Sequence, residues 1–171
     1  MNMTLAEQIS PHKPSGRVGP YYIITPTKSA EDMSAEDMPP KKVPVEEVIK
    51  TLVGRERIYA FGERTHHRKE IKPGDWICFY AATKGIVAHA KVASIPERKE
   101  HPAVHDPQRY PWVFRLSDIN IYTEHPVVID AQLRSRLDVF KGRPPARGWA
   151  WFVQRTRLIT EHDFRILTRQ E

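Results

Sequence analysis

The eight histidines and one cysteine of this 171-residue chain are its natural candidates for metal binding and nucleophilic chemistry. Their spacing argues against both. His66 and His67 are adjacent, so their side chains diverge from any one ion. His101 and His105 stand four apart, as two ligands on one helix face would, but Pro102 interrupts that helix. Cys78 lies within the apolar run Trp76–Ala82 and reads as inert core. No nucleophile elbow, phosphate-binding loop or dinucleotide fingerprint occurs. The chain therefore reads as a non-enzyme with no metal and no cofactor. Its abundant chemistry is flat rings and cations: four Trp, six Tyr and six Phe, with 27 Lys+Arg against 21 Asp+Glu, a formal charge of +6. Aromatic faces stack on bases, worth about 1–3 kcal/mol each, and cations neutralise phosphates. The positive charge favours an anionic partner such as nucleic acid.

The length suits one domain with a core of its own. A composition 40% hydrophobic and 28% charged is that of a globular protein, not a fibrous one. No stretch approaches the roughly 20 apolar residues of a membrane span. One cysteine rules out an intrachain disulfide framework. The first twenty residues lack the charged-then-apolar pattern of a leader, so the expected compartment is the cytoplasm.

Residues 1–19 are polar and aperiodic and read as a mobile tail, leaving 20–171 as the domain. Tyr21–Thr25 reads as a buried strand ending at Pro26. Two copies of Ala-Glu-Asp-Met within 30–38 read as an exposed acidic loop. Pro44 opens a helix whose apolar positions recur at three and four residues until Gly54. Ile58–Gly62 is a short strand, and Thr65 caps a helical turn over His66–Ile71. The turn Lys72-Pro73-Gly74-Asp75 leads into strands Trp76–Ala82 and Ile86–Ile95, joined by the tight loop Thr83-Lys84-Gly85. Residues 96–110 read as a surface loop. In the strand Trp112–Tyr122, Val113, Arg115, Ser117, Ile119 and Ile121 face one way and the alternate residues the other. Asp130 caps a helix over AQLRSRL, 140–148 is a cationic loop, and Trp149–Val153 is a strand. Arg157–Ile159 returns to the sheet, and Thr160 caps a last helix. The sum is an α+β fold, a small curled β-barrel of about six mostly antiparallel strands decorated by short helices.

Four pieces in this order resemble an EVE domain, a member of the PUA-like superfamily that also contains YTH and ASCH domains. They are Tyr21–Thr25, Gly62-Glu63-Arg64-Thr65, the run Ile71–Tyr80 followed by Gly85–Val92, and Phe152–Phe164. The likeness spans roughly residues 20–168. It departs where family members often carry Lys-Ser after the first strand (here Thr25-Pro26), Asn after the G-x-R arginine (Thr65) and His or Ser after the Phe-Tyr pair (Ala81).

The resemblance implies a reader that holds one base, often a modified one, in an aromatic pocket. Its walls are then expected from Tyr59, Phe61, Gly62, Phe79, Tyr80, Tyr110 and Trp112. Phe79 reads better as core, while Tyr80 and Trp112 fit wall or core equally. Trp149 and Trp151 share a strand face, one as core and the other as wall. Arg64 offers a planar fork and Thr65 a hydroxyl to a base edge; a surface ion pair and a helix cap are their plain alternatives. His66, His67, Arg68, Lys69, Arg143, Arg147, Arg155 and Arg157 suit a phosphate backbone, or simply a solvated surface. The function expected is non-catalytic binding of DNA or RNA through one methylated or hydroxymethylated base. The alternatives are an RNA-binding accessory module of RNA modification or translation, and a small-molecule or protein-interaction domain.

Overall fold

Two runs of β-branched and aromatic residues, β1 (Tyr22–Thr27) and β5 (Trp76–Ala81), lie side by side and centre the fold. The structure is a computed structural model and describes residues 19–32, 41–143 and 148–170. The expected tail, Gly19 apart, and most of the acidic loop fall outside these residues. From that loop Ala30–Asp32 (β2) pairs antiparallel with Lys41–Val43 (β3), so this part is a small hairpin.

The chain is mixed α+β, as its patterning predicts, with a curled sheet and a few short helices. After β3 come α1 (Val45–Ile49), β4 (Ile58–Phe61), β5, β6 (Gly85–Val92), β7 (Glu97–Arg98) and β8 (Trp112–Ile121). Then follow α2 (Ala131–Arg134), β9 (Arg157–Ile159) and α3 (Glu161–Leu167). The sheet order is β4-β8-β6-β5-β1-β9, with β7 also on β8. β1 and β5 are parallel, from Tyr22↔Trp76 to Thr27↔Ala81, and the other pairs are antiparallel. Asp75, fully buried, ties the start of this pair: its carboxylate accepts from Tyr21 N and Lys72 N, each at 3.0 Å. That is the structural work of the Pro-Gly-Asp turn.

Several local expectations change. β1 runs through Pro26 to Thr27, because Pro26 lies where β1 has no β9 neighbour and its missing N–H costs no ladder bond. α1 does not stop at Gly54: it widens into a π-helical segment over Lys50–Arg55, with Glu56 N donating to Thr51 O at 2.9 Å. His66–Ile71 makes successive turns rather than a helix. The second predicted helix shortens to α2. Trp149–Val153 is not a strand: Ala150–Val153 is a 3₁₀ turn that buries Phe152 and Val153 against the sheet. Its apolar residues find their burial in the outer layer without strand pairing, and strand propensity yields to that packing. In β8, Asp118 adopts φ 48°, and the register jumps from Lys91↔Ser117 to His89↔Asn120. This bulge inverts the predicted alternation, so Phe114 and Leu116 share the interior with Ile119 and Ile121.

The pleat divides the core. Ile23, Ile77 and Phe79 point into the curled sheet and meet Tyr59, Phe61 and Phe114. Ile24, Cys78 and Tyr80 point outward beneath Val127, Leu137, Phe152 and Phe164. α3 closes this outer layer; its cap Thr160 accepts from Asp163 N at 3.1 Å. A third group packs Val48 of α1 and Leu52 of the π-helical segment, with Val104, on Ile58, Ala60 and Val113.

Candidate functional site at the open seam of the sheet

The sheet curls without closing. β9 pairs with β1 only as far as Ile24, so Thr25–Thr27 are bonded on the β5 side alone among the described strands. β4 is an end strand that pairs, among the described strands, only with β8. Tyr59 on β4 crosses from one bare edge to the other, its hydroxyl donating to the Pro26 carbonyl at 3.3 Å. A cavity of about 610 Å³ occupies this seam, within the roughly 300–1,000 Å³ of small-ligand sites.

Its wall is aromatic. Tyr59 rests on Phe79 with ring centres 4.7 Å apart, and Phe61 on Phe114 at 4.9 Å. Tyr59 and Phe61 reach the cavity, with Tyr110 from the loop before β8. Burial pushes the Tyr59 phenol up to about 12, so it stays a neutral donor. The floor is uncharged and hydroxylic. Thr25, Thr27 and Thr156 are all buried there, and the Thr25 and Thr156 Oγ1 atoms are 2.7 Å apart. Two such hydroxyls share one proton between them and keep a second, so the pair can donate or accept toward a ligand.

Gly62 and Thr65 frame the mouth. Gly62 N donates to Thr65 Oγ1 at 3.0 Å, which turns the chain away from β4. A Cβ on Gly62 would sit 3.2 Å from the Arg109 carbonyl, so a glycine lets the loop close over the cavity. Charge is confined to the rim, where Lys28, His105, Asp106 and Arg109 are exposed.

Of the residues proposed from sequence, Tyr59, Phe61, Gly62, Thr65 and Tyr110 meet at this cavity. Arg64, exposed beside them, does not line it. Tyr80, Trp149 and Trp151 lie on the outer face of the sheet. The reason is the two-residue period of β5: Phe79 and Tyr80 must face opposite ways. Trp149 meets the Tyr80 ring at 6.5 Å, and Trp151 meets Phe140 at 5.4 Å. Trp112, the register partner of Phe61, donates through Nε1 to Glu63 at 2.6 Å and lies under the Arg68 guanidinium at 4.2 Å. The Trp112 N–H and then Arg98 hold the Glu63 carboxyl below its ordinary range.

Half of the first basic set, His67 and Arg68, is internally paired. Arg68 and Arg98 meet Glu63 at 3.6 and 2.5 Å, and His67 meets Glu70 at 3.3 Å. His66 and Lys69 are exposed. Arg143 and Arg155 are exposed, Arg157 is half-buried, and Arg147 lies outside the described residues.

Sequence reasoning missed Thr27, Lys28, Thr156 and Arg109. Thr156 could have been noticed as a small hydroxyl between two arginines at the start of the last strand. Another cluster, Asp138, His162 and Asp163, places donor atoms within 4.8 Å of one another. Its carboxylates are already engaged: Asp163 accepts from Asp138 N at 2.6 Å and Val139 N at 3.1 Å, and Asp138 accepts from the Thr160 hydroxyl at 3.0 Å. Compared with protein-family models the chain matches none, and no curated protein matches it.

Proposed function

We propose that this chain is a nucleic-acid reader of the EVE type that lodges one base, preferably a modified one, in the seam cavity. The observation that carries the reading is the cavity's division of chemistry: a neutral floor of rings and hydroxyls inside, charge only at the mouth. A free carboxylate or phosphate would lose its hydration inside with no cation to meet it. A nucleotide matches both parts, its uncharged base entering and its phosphate staying at Lys28 and Arg109. Backbone groups of the two bare strand edges add donors and acceptors for a base edge.

The energies are compatible. Stacking supplies about 1–3 kcal/mol per base, comparable with the few kcal/mol needed to extrude one. A base methyl buried against Tyr59 or Phe61 adds about 0.8 kcal/mol, about a fourfold gain in affinity. Titration of matched oligonucleotides carrying cytosine, 5-methylcytosine, 5-hydroxymethylcytosine or N6-methyladenine tests the reading. A preference of about fourfold or more for one modified base supports it; equal affinity for all four rejects modified-base reading. Matched RNA strands in the same titration decide between DNA and RNA.

A further inference from the structure

Charge is unevenly placed along the chain. Residues 130–170 hold nine Lys+Arg against four Asp+Glu, which is five of the six net positive charges. Within this segment three guanidinium groups lie against indoles. Arg134 Cζ is 4.8 Å from the Trp149 ring, and Arg143 and Arg157 Cζ are 4.5 and 5.1 Å from the Trp151 ring. Each is fixed a second time by a backbone carbonyl. Arg134 donates to Ile129 O at 2.8 Å, Arg143 to Val139 O at 3.1 Å and Arg157 to Trp151 O at 3.0 Å. The Nε of Arg157 is buried without a partner among the described residues.

None of the three pairs with a carboxylate among the described residues, in contrast to Arg68 and Arg98, which share the Glu63 carboxylate. These arginines are held in place with their charge uncompensated. Side-chain ordering that binding an anion would otherwise require is already complete. The array also abuts the seam. Thr156, on the cavity floor, stands between Arg155 and Arg157, and Pro26 on the cavity wall is the register partner of Tyr80, whose ring meets Trp149.

We infer that Arg134, Arg143 and Arg157, laid on Trp149 and Trp151, form a phosphate-binding shelf for the strand that flanks the inserted nucleotide. The inference rests on the base-reading proposal and adds its partner's form: a nucleic-acid strand several nucleotides long, held largely through its backbone.

The test is fluorescence anisotropy of the full chain with single-stranded oligonucleotides of about 3 and 15 nucleotides, from about 50 to 200 mM salt. The longer strand binds more tightly and with a steeper salt dependence. In Arg143→Ala the slope of log K against log salt for the longer strand falls by about 0.7, the loss of one phosphate contact on a single strand. Arg143→Lys keeps the charge and the slope. Lys50→Ala, which removes an exposed cation paired with Glu124, leaves the slope unchanged. An Arg143→Ala slope equal to that of the native chain overturns the shelf, as does an equal loss in Lys50→Ala. Tighter binding to phosphatidylglycerol vesicles than to the longer strand also overturns it. Absence of base preference in the native chain refutes the cavity reading alone, so the two failures are distinguishable.

Discussion

The Thr25–Thr156 pair makes a quantitative test of the seam. The two hydroxyls come from residues 131 positions apart, are 2% and 7% exposed, and bond at 2.7 Å. Thr156→Val removes one partner and leaves the Thr25 hydroxyl buried without it, a loss of about 1–3 kcal/mol. Thr25→Val does the same in reverse. Valine has the shape of threonine, so Thr25→Val/Thr156→Val removes both polar groups and leaves no orphan; this change is close to neutral. For a domain of this size about 2 kcal/mol lowers Tm by about 4–8 °C. Thermal and urea unfolding of the four proteins gives a double-mutant cycle whose coupling is about 4 kcal/mol, since two single losses of about 2 kcal/mol vanish in the double variant. The reasoning is refuted if the single variants are as stable as the native chain, or if the double variant loses the sum of the single losses. The same proteins report function: the stable double variant loses hydrogen bonding to the base edge and binds the preferred oligonucleotide about tenfold more weakly, as loss of about 1.4 kcal/mol requires.

Gly62→Ala forces a Cβ to 3.2 Å from the Arg109 carbonyl and shifts the loop over the cavity; urea unfolding should show a loss of about 1–3 kcal/mol, with weakened oligonucleotide binding. His89 is buried and bonded on both nitrogens, to Tyr122 at 2.9 Å and Asn120 at 3.2 Å, and burial holds its pKa below the ordinary value. Its folded pKa is depressed, so the unfolded chain binds the proton first; stability falls as pH drops below about 6.5. His89→Gln should remove that part of the acid-side slope in pH-dependent unfolding. Cys78 is fully buried and burial pushes its thiol pKa far up, so mass spectrometry should find no iodoacetamide adduct until the chain is unfolded; adduct on the folded chain contradicts this.

The sheet was legible where patterns are local. Apolar runs mark β5 and β6, and Asp130 and Thr160 cap the helices predicted after them. The alternation of Phe79 and Tyr80 also follows from sequence, but which of them faces a cavity depends on how the sheet curls. The parity of β8 was not legible, because the bulge at Asp118 carries no signal beyond one left-handed aspartate. Trp149–Val153 has strand composition but forms a 3₁₀ turn that buries Phe152 and Val153, and composition alone does not separate the two. The site divides in the same way. Tyr59, Phe61, Gly62 and Thr65 are near in sequence and were found together. The floor joins Thr25 to Thr156 across nearly the whole chain, and no periodicity predicts that meeting.

Intermolecular NOEs between the protein's aromatic protons and the methyl group of a 5-methylcytosine oligonucleotide test base insertion most directly. Insertion at the seam predicts contacts from that methyl to Tyr59, Phe61 and Tyr110. Saturated binding with methyl contacts to Trp149 or Trp151 instead, or with none to the seam residues, contradicts it.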